Sequence, residues 1–203
     1  IRVGTECIFA KRQGDLWSVT VRDHAGEHVI KARSLVNASG PWCAEVLENR
    51  VEAKKKLGIR MVQGSHIVVP KLFDHDYCYI FQNPDGRIVF AIPYEQDFTL
   101  IGTTDRDYKG DPSKVAISAD ETKYLCELAN TYFAHKISPT DVVWAYSGVR
   151  PLYGDGSEDA SQVTRDYVLE IDNGDKGAPL LNIYGGKITT YRKIAEAAMS
   201  KLS

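Results

Sequence analysis

Alternation of apolar and polar residues predicts strands in the first part of the chain. Between Leu16 and Arg22, apolar residues occupy every second position and polar residues occupy the positions between them. This is the period of a half-buried strand. Turn-forming residues around Gly14 and Gly26 flank the segment. We therefore predict that residues 2–33 form a three-stranded meander.

The next apolar segment, Ser34–Ala38, alternates less and predicts a short strand covered on both sides. It ends in Ser39-Gly40-Pro41, which predicts the start of a helix with proline near its first turn. A strand followed by glycine and a helix can bring backbone N–H groups close to a phosphate. A plain strand-to-helix turn is the alternative interpretation.

From residue 58 to residue 110 the pattern predicts successive strands without intervening helices. The predicted strands are 59–69, 77–82, 87–92 and 98–103. Turn-forming residues lie between the later strands, at Asn83–Gly86 and Tyr94–Asp97. Such tight spacing favours antiparallel pairing. Residues 49–57 are charged and predict a helix end and a linker.

Two later segments have helical spacing of apolar residues. Residues 119–133 are predicted to form an amphipathic helix, and residues 191–202 a second one with Ile194, Ala198 and Leu202 on one face. Further strands are predicted at 141–149, 164–171 and 180–184. The pattern as a whole predicts an α+β fold, with a largely antiparallel or mixed sheet and flanking helices.

Composition excludes several classes of protein. The 203 residues carry a net charge of −2, which gives no reason to expect nucleic-acid binding. No apolar run approaches the roughly 18–20 residues that span a bilayer. The four cysteines form no C-x-x-C pair, so we predict core or half-buried thiols rather than a zinc site or a disulfide framework. The five histidines show no ligand spacing, and we predict no metal.

Three cations lie in unusual settings. Arg150 lies in Ser-Gly-Val-Arg-Pro-Leu, Arg165 in Thr-Arg-Asp-Tyr, and Lys187 in Gly-Gly-Lys-Ile-Thr-Thr-Tyr-Arg. Arginine offers a planar fork to two phosphate oxygens, and lysine offers a compact charge. The three residues together suit a small anion, such as a phosphate ester, beside a redox cofactor. The alternative is that they are ordinary surface cations.

In combination, these strings resemble the FAD-dependent glycerol-3-phosphate dehydrogenases and the related glycerophosphate oxidases. The similarity includes Ala38–Trp42, Gly64–Pro70 and Ile101–Asp105, and it runs from end to end of the chain. The chain contains no G-x-G-x-x-G string. The family is expected to carry that phosphate loop upstream and a helical domain downstream. We therefore expect the sequence to be a middle portion of a longer enzyme that is inactive by itself and retains little FAD.

The resemblance also implies a division into domains. Residues 1–57 are expected to be part of an FAD-binding, Rossmann-like domain. Residues 58–172 are expected to form an antiparallel substrate-binding domain. Residues 173–203 are expected to return to the FAD-binding domain with a strand and a helix.

The implied activity is oxidation of sn-glycerol 3-phosphate to dihydroxyacetone phosphate, with hydride transfer to flavin N5 and electrons passed to a quinone. The alternatives are an oxidase that uses O2 and a non-catalytic module that binds a phosphorylated metabolite. An amino-acid oxidase fits less well, because it needs a carboxylate clamp and an apolar pocket. The resemblance further implies a cytoplasmic protein, peripheral to the inner membrane, and is compatible with a homodimer.

The candidate site residues follow from the resemblance and from local chemistry. His66, Arg150 and Lys187 are the candidate catalytic residues, and Arg150, Arg165 and Lys187 are the candidate substrate ligands. A core histidine is the alternative for His66, and Arg150 is assigned to either the alcohol oxygen or the phosphate. Thr189 and Thr190 are also candidate N-cap residues of the last helix. The candidate FAD-binding residues are Cys7, Ala38, Ser39, Gly40, Trp42, Gly186, Lys187, Thr189 and Thr190. The turn Thr103–Asp105 is predicted to be structural.

Overall fold

The computed structural model describes residues 1–52, 58–153, 166–174 and 177–203. These residues form two compact units. The first contains Ile1–Arg60 and the described residues from Pro151 onward, and the second contains Met61–Arg150. The boundaries expected from the sequence lie after residues 57 and 172. The fold is α+β, as predicted.

Strands predominate over helices in the described part of the chain. The strands are β1 (Glu6–Gln13), β2 (Leu16–Asp23), β3 (Gly26–Ala32), β4 (Leu35–Asn37), β5 (Ile59–Pro70), β6 (Tyr79–Gln82), β7 (Ile88–Tyr94), β8 (Phe98–Gly102), β9 (Arg106–Asp107), β10 (Trp144–Tyr153), β11 (Val168–Asp172) and β12 (Leu180–Tyr184). The α-helices are α1 (Cys43–Asn49), α2 (Ala119–Tyr132) and α3 (Tyr191–Leu202). Short 3-10 turns lie at Gly40–Trp42, Pro112–Lys114, Pro139–Asp141 and Ile188–Thr190.

The first unit contains two three-stranded sheets. Strands β1, β2 and β3 form the predicted antiparallel meander. The other sheet has the order β11-β12-β4, in which β12 is antiparallel to β11 and parallel to β4. The parallel pair is important for the candidate site, because the carboxyl ends of both strands lie at the same edge of the sheet.

Trp17 and Arg12 tie the meander to the segment that leads into β12. Trp17 is fully buried, and its indole Nε1 donates a 3.0 Å hydrogen bond to the carbonyl of Pro179. Arg12 lies over the Trp17 ring, and its Nε donates to the carbonyl of Ala178 at 2.8 Å. A buried indole N–H needs such an acceptor. These contacts therefore fix the packing of the meander in the first unit.

The second unit is a six-stranded sheet covered on one face by α2. The strand order is β10-β5-β8-β7-β6, and β9 also pairs with β5. Ile67, Ile101 and Ala91 lie side by side on β5, β8 and β7 and pack against Leu125 and Ala129 of α2. The helix begins in a capping box formed by Ser118 and Glu121.

Some boundaries and environments differ from the sequence predictions. The strand predicted at 141–149 begins at Trp144, because Ser138 and Asp141 cap a 3-10 turn before it. In the described residues, the strand predicted at 164–171 runs over Val168–Asp172. The prediction that β4 is covered on both sides is wrong for Val36, which is 45% exposed on this edge strand. Cys78 is exposed rather than half-buried.

The four cysteines are free thiols. In the part of the chain that the structure describes, no group of three or more His, Cys, Asp or Glu side chains could hold a metal ion. Within the same residues, no helix combines the length and the apolar character needed to cross a membrane.

Candidate functional site

The first candidate region is an edge of the β11-β12-β4 sheet, which we name the parallel-strand edge. Asn182 of β12 lies opposite Asn37 of β4 in parallel register. Ala38–Gly40 follows β4, and Gly185–Lys187 follows β12. The carboxyl ends of adjacent parallel strands are the usual position of ligand sites in such sheets. The fold therefore brings these two predicted cofactor segments to one edge.

A tight turn shapes the β4 side of this edge. The Asn37 side chain is buried, and its Oδ1 accepts hydrogen bonds from the backbone N–H and the hydroxyl of Ser39, the latter at 2.6 Å. Gly40 follows with φ +56°, and a Cβ built there would meet no atom within 4 Å. The backbone at Gly40 is therefore open to a ligand within this unit. Trp42 is 42% exposed in the 3-10 turn that follows.

The β12 side depends on two glycines in left-handed conformations. Gly185 has φ +67°, and a Cβ built there would lie 2.8 Å from the carbonyl oxygen of Asp166. Gly186 has φ +91°, and its Cβ would lie 2.6 Å from Cδ1 of Ile194. A side chain at either position would be strained by the backbone and by its neighbour. The sequence Gly-Gly-Lys is thus a backbone requirement that places Lys187 just before α3.

Lys187 is exposed, and no carboxylate of the described residues lies within ion-pair distance of its ammonium group. Its carbonyl oxygen accepts hydrogen bonds from the backbone N–H and the hydroxyl of Thr190. Thr190 occupies the N-cap position of α3, but no side chain caps the helix. The prediction of an N-cap residue at this position is therefore confirmed for Thr190, although its hydroxyl donates to the carbonyl of Lys187 and does not cap the helix.

Cys7 belongs to the other sheet of the first unit. It lies on β1 beside a register shift between Cys7 and Phe9, and its carbonyl accepts a 2.9 Å hydrogen bond from Arg50. Burial raises the pKa of the Cys7 thiol, although the nearby Arg50 opposes this effect. The structure thus does not place Cys7 at the parallel-strand edge, and its contact with the cofactor stays a prediction.

The second candidate region is the face of the six-stranded sheet that α2 does not cover, which we name the open face. His66 of β5, Gly102 of β8 and Phe90 of β7 are in register. They are next to the row that packs on α2, so alternation directs them to the opposite face. His66, a candidate catalytic residue, therefore lies on the open face.

Arg150 is anchored on the same face by the turn after β8. Its Nη1 donates to Asp105 Oδ1 at 2.9 Å, and its Nη2 donates to Thr103 Oγ1 at 3.2 Å. The Arg150 side chain is 32% exposed and that of Asp105 only 13%. A Cβ built on Gly64 would collide with the two terminal guanidinium nitrogens, Nη1 and Nη2. The guanidinium therefore packs directly on the Gly64 backbone, and part of the Arg150 side chain remains exposed.

The His66 ring lies against Tyr146 and Gly102. It stacks on Tyr146 with 4.8 Å between ring centroids and 5° between planes, and a Cβ on Gly102 would lie 2.6 Å from its Cγ. Burial lowers the pKa of His66, and the positive charge of Arg150 lowers it further. Nδ1 is buried without a hydrogen-bond partner among the described residues. The imidazole is therefore held neutral and able to accept a proton at neutral pH.

Sequence reasoning misses several of these contacts. The sequence predicts a structural turn at Thr103–Asp105, yet Thr103 and Asp105 both hold Arg150. Nothing in the sequence identifies Tyr146 as the partner of His66. Its alternation with Trp144 on β10 is the available signal, but alternation does not identify a partner on another strand.

Two predictions concerning the cations are not resolved by the described residues. Arg165 lies outside them. Arg150 and Lys187 belong to different units, and their predicted convergence on one pocket stays a prediction. Within the first unit, the carbonyl oxygen of Pro151 lies 3.6 Å from a Cβ built on Gly185. The Pro151 carbonyl is therefore beside the Gly-Gly turn.

The geometry can be compared with known proteins. The chain matches the family described as FAD dependent oxidoreductase over residues 1–192. It belongs to this family, as the resemblance at its motifs predicted.

The more similar relatives act on phosphorylated polyols, according to their names. The chain is 48% identical over 203 residues to a glycerol-3-phosphate dehydrogenase of Pseudomonas aeruginosa, covering 100% of this chain and 40% of the relative. It is 44% identical over 200 residues to a D-erythritol 1-phosphate dehydrogenase of Brucella abortus, covering 98% of this chain and 40% of the relative. The chain thus spans about 40% of the length of these relatives.

A solved structure of similar fold is the glycerol-3-phosphate dehydrogenase of Bacillus halodurans complexed with FAD. It superposes with a TM-score of 0.78 at 29% identity, covering 98% of this chain and 38% of that one. The similarity therefore extends over both compact units.

Proposed function

We propose that this chain is part of an FAD-dependent dehydrogenase that oxidises sn-glycerol 3-phosphate to dihydroxyacetone phosphate. The observation that carries the proposal is the 48% identity to the Pseudomonas aeruginosa glycerol-3-phosphate dehydrogenase across the whole chain. The two candidate regions agree with it. The parallel-strand edge offers open backbone and an exposed cation, and the open face offers an anchored guanidinium and a neutral imidazole.

The residues at the parallel-strand edge fit FAD. The backbone at Gly40 is open, so a phosphate or ring can approach closely, and the exposed ammonium of Lys187 suits an anionic group. FAD, when bound, supplies the hydride acceptor for alcohol oxidation. The residues proposed to hold it in the described region are Ala38, Ser39, Gly40, Trp42, Gly186, Lys187, Thr189 and Thr190.

Arg150 is proposed to bind the phosphate or the reacting alcohol oxygen. Its bonds to Thr103 and Asp105 orient the guanidinium, and 32% of the side chain is exposed. A guanidinium that is already oriented loses little freedom on binding an anion. Arg165 is proposed as the second phosphate ligand, on the basis of its sequence motif.

His66 is proposed to take the hydroxyl proton. Oxidation of a secondary alcohol removes a hydride from carbon and a proton from oxygen, so the proton needs an acceptor. The lowered pKa keeps the imidazole unprotonated at neutral pH, and a ring nitrogen can then receive the proton. Tyr146 and Gly102 fix the plane of the ring for this role.

Activity of a complete protein that contains this chain and spans the length of its relatives tests the proposal. We expect flavin absorbance in the purified protein and reduction of a dye with glycerol 3-phosphate but not with glycerol. A colourless protein, or one that leaves the dye oxidised with glycerol 3-phosphate, would contradict the proposal.

The roles of Arg165 and Lys187 can be separated in the same protein. Arg165→Ala should raise KM about 10- to 150-fold, the equivalent of the roughly 1.5–3 kcal/mol carried by a charge-assisted contact. Lys187→Ala should slow flavin reduction, measured by stopped-flow absorbance. Lys193→Ala is the control, because Lys193 pairs with Glu196 on the exposed face of α3. If Lys193→Ala had effects of equal size, the two assignments would be wrong.

D-erythritol 1-phosphate is a second candidate substrate. The 44% identity to the Brucella abortus enzyme named for it is close to the 48% with the glycerol 3-phosphate enzyme. Both substrates combine an alcohol with a phosphate, so Arg150 and Arg165 suit either. The ratio of kcat/KM for the two compounds decides between them.

The acceptor and the location are further proposals that follow from the family resemblance. We propose a quinone acceptor, peripheral attachment to the cytoplasmic face of the inner membrane and a homodimer. Anaerobic reduction of a soluble quinone, without peroxide formation in air, would support the dehydrogenase over the oxidase. Release from membranes by high salt, and the sedimentation of the purified protein, test the other two.

A further inference from the structure

Glu121 is a charged residue in the interior of the second unit. It lies in the first turn of α2 and is only 7% exposed. None of the residues that the structure describes forms an ion pair with it. A buried carboxylate without a cation is costly unless hydrogen bonds satisfy it. The bonds that Glu121 accepts therefore explain its position.

The two oxygens of Glu121 hold different parts of the unit. Oε2 accepts from the backbone N–H and the hydroxyl of Ser118, at 3.0 and 2.9 Å, and so completes the helix cap. Oε1 accepts from the hydroxyls of Thr104, at 2.7 Å, and Ser65, at 2.9 Å. Gln63 Nε2 lies 3.1 Å from Oε2 and 3.4 Å from Oε1. Both hydroxyl donors of Oε1 thus come from the sheet and the turn after β8, whereas Oε2 joins the helix cap to Gln63 of β5.

The residues next to the Oε1 donors build the open face. Ser65 lies between Gly64 and His66 on β5, so its side chain points to the α2 side, while Gly64 and the His66 side chain lie on the open face. The Ser65 backbone N–H also donates to Thr104 Oγ1 at 3.0 Å.

In the turn after β8, an Oε1 donor again lies next to residues that build the open face. Thr104 lies between Thr103 and Asp105, and these two residues accept the hydrogen bonds of Arg150. A movement of Thr104 therefore displaces both anchors of the guanidinium.

We propose that Glu121 is a positioning residue that sets the geometry of Arg150 and His66 through Thr104 and Ser65. Its effect on turnover rests on the proposed function, whereas its effect on the local geometry does not. Glu121 touches neither Arg150 nor His66 in the described structure, so it acts through the sheet.

The charge state of Glu121 suits this role. Burial raises the pKa of its carboxyl, but the hydrogen bonds from Ser118, Thr104 and Ser65 together outweigh burial, and the pKa is lowered. The group is therefore ionised at neutral pH. An ionised acceptor forms shorter and stronger hydrogen bonds than a neutral one and so fixes its donors more tightly.

Variants of the two sides of Glu121 test the proposal. Thr104→Val removes an Oε1 donor and keeps the side-chain shape, and Ser118→Ala removes an Oε2 donor at the helix cap. Both should lower Tm by about 2–4 °C. In the complete protein, only Thr104→Val should lower kcat/KM for glycerol 3-phosphate, by about 10- to 100-fold. Ser65→Ala should have the same effects as Thr104→Val, and it replaces that variant in the test if Thr104→Val does not fold. Thr104→Ser should restore the activity.

A second measurement does not depend on activity. Because Arg150 lowers the pKa of His66, its displacement should move the His66 titration, followed by NMR in the 203-residue chain, towards the ordinary value. Thr104→Val should produce this rise and Ser118→Ala should not. Adding Thr104→Val to Arg150→Met should produce no further rise, because both act through the same cation.

The outcomes separate the two proposals. If the unmodified complete protein does not oxidise glycerol 3-phosphate, the proposed function fails, while the His66 titration still decides on positioning. An unchanged titration in both Thr104→Val and Ser65→Ala would overturn the positioning role. Equal kinetic losses in Ser118→Ala and Thr104→Val would also overturn it, because Glu121 would then act only on stability.

Discussion

The two candidate regions are built in different ways. At the parallel-strand edge, left-handed glycines determine the path of the backbone, and Gly185 and Gly186 leave no room for a side chain. On the open face, ordinary strands carry side chains whose partners come from a turn or another strand, such as Asp105 for Arg150 and Tyr146 for His66. The first region depends on backbone conformation and the second on side-chain contacts.

This difference predicts how each region responds to substitution. A side chain added at the parallel-strand edge must change the backbone, so the cost falls on the stability of the first unit. A change on the open face displaces flexible side-chain ends, so the cost falls on the site geometry and leaves most of the stability intact. Glu121 of the second unit is an exception to this rule. Its side chain is buried, and its hydrogen bonds join the helix to the sheet, so its loss should also lower stability.

The largest effect on stability is expected from Glu121→Ala. The change leaves several buried donors without their acceptor and should lower the free energy of unfolding by about 3–5 kcal/mol, as removal of one partner of a buried charged network does. Urea denaturation of the 203-residue chain at pH 7 measures it. Asp141→Ala is the control, because Asp141 closes an exposed capping box and its loss should lower the free energy of unfolding far less than that of Glu121.

The loss of unfolding free energy in Glu121→Ala should depend on pH. The pKa of Glu121 is lower in the folded chain than in the unfolded chain. Its contribution is therefore present above the unfolded value of about 4.3 and is lost as the pH falls through the folded value. The difference between the unmodified chain and Glu121→Ala should shrink in acid. A difference that stays constant from pH 7 to pH 3 would contradict this account.

Gly64→Ala is expected to affect activity far more than stability. The new methyl group would meet the end of the Arg150 side chain, which can move away, and the hydroxyl of Thr103, so the free energy of unfolding should fall by about 1–2 kcal/mol. The displaced guanidinium should lower kcat/KM of the complete protein by about 10²-fold. Gly148→Ala, on the strand that carries Arg150, has open space around it and should leave both quantities nearly unchanged. Equal losses of kcat/KM in Gly64→Ala and Gly148→Ala would contradict this account of the open face.

Gly186→Ala, in contrast to Gly64→Ala, should act mainly on the free energy of unfolding. Left-handed backbone costs a residue with a side chain about 1–2 kcal/mol, and contact with Ile194 adds to this cost. The free energy of unfolding of the 203-residue chain should fall by about 2 kcal/mol or slightly more. Gly40→Ala has the backbone cost without the contact and should lose less. Equal stability in Gly186→Ala and the unmodified chain would show that the turn can rearrange freely.

The smallest effect is expected from the titration of His66. Its pKa is lowered in the folded chain, so below about pH 6.5 the unfolded chain binds a proton that the folded chain does not. Stability should therefore fall as the pH decreases from about 6.5 towards the folded pKa. His66→Phe keeps an aromatic ring against Tyr146 and should remove this part of the decrease. Unfolding free energies at pH 7.5 and 5.5 for the two chains measure it.

Much of the secondary structure could be predicted from local pattern. The meander, the strand at 180–184, the helix at 191–202 and the helix that begins at residue 119 follow the periods of strands and helices. The Gly-Gly-Lys turn was also predictable, because glycine permits left-handed backbone that other residues avoid. Thr190 occupies the predicted N-cap position, but local sequence did not show that its hydroxyl donates to the carbonyl of Lys187, since a hydroxyl at a helix start can bond in either direction along the chain.

Periodicity and turn chemistry along the chain determined the α+β class, the order of strands and helices, and the motifs that carry the family resemblance. Tertiary structure alone decided which residues hold those motifs in place. Arg150 meets Asp105 across 45 residues, and Ser65 meets Glu121 across 56. Alternation assigns a residue to a face of its own strand, but the partner on another strand depends on register and packing. These arise only when the sheet and its helix assemble.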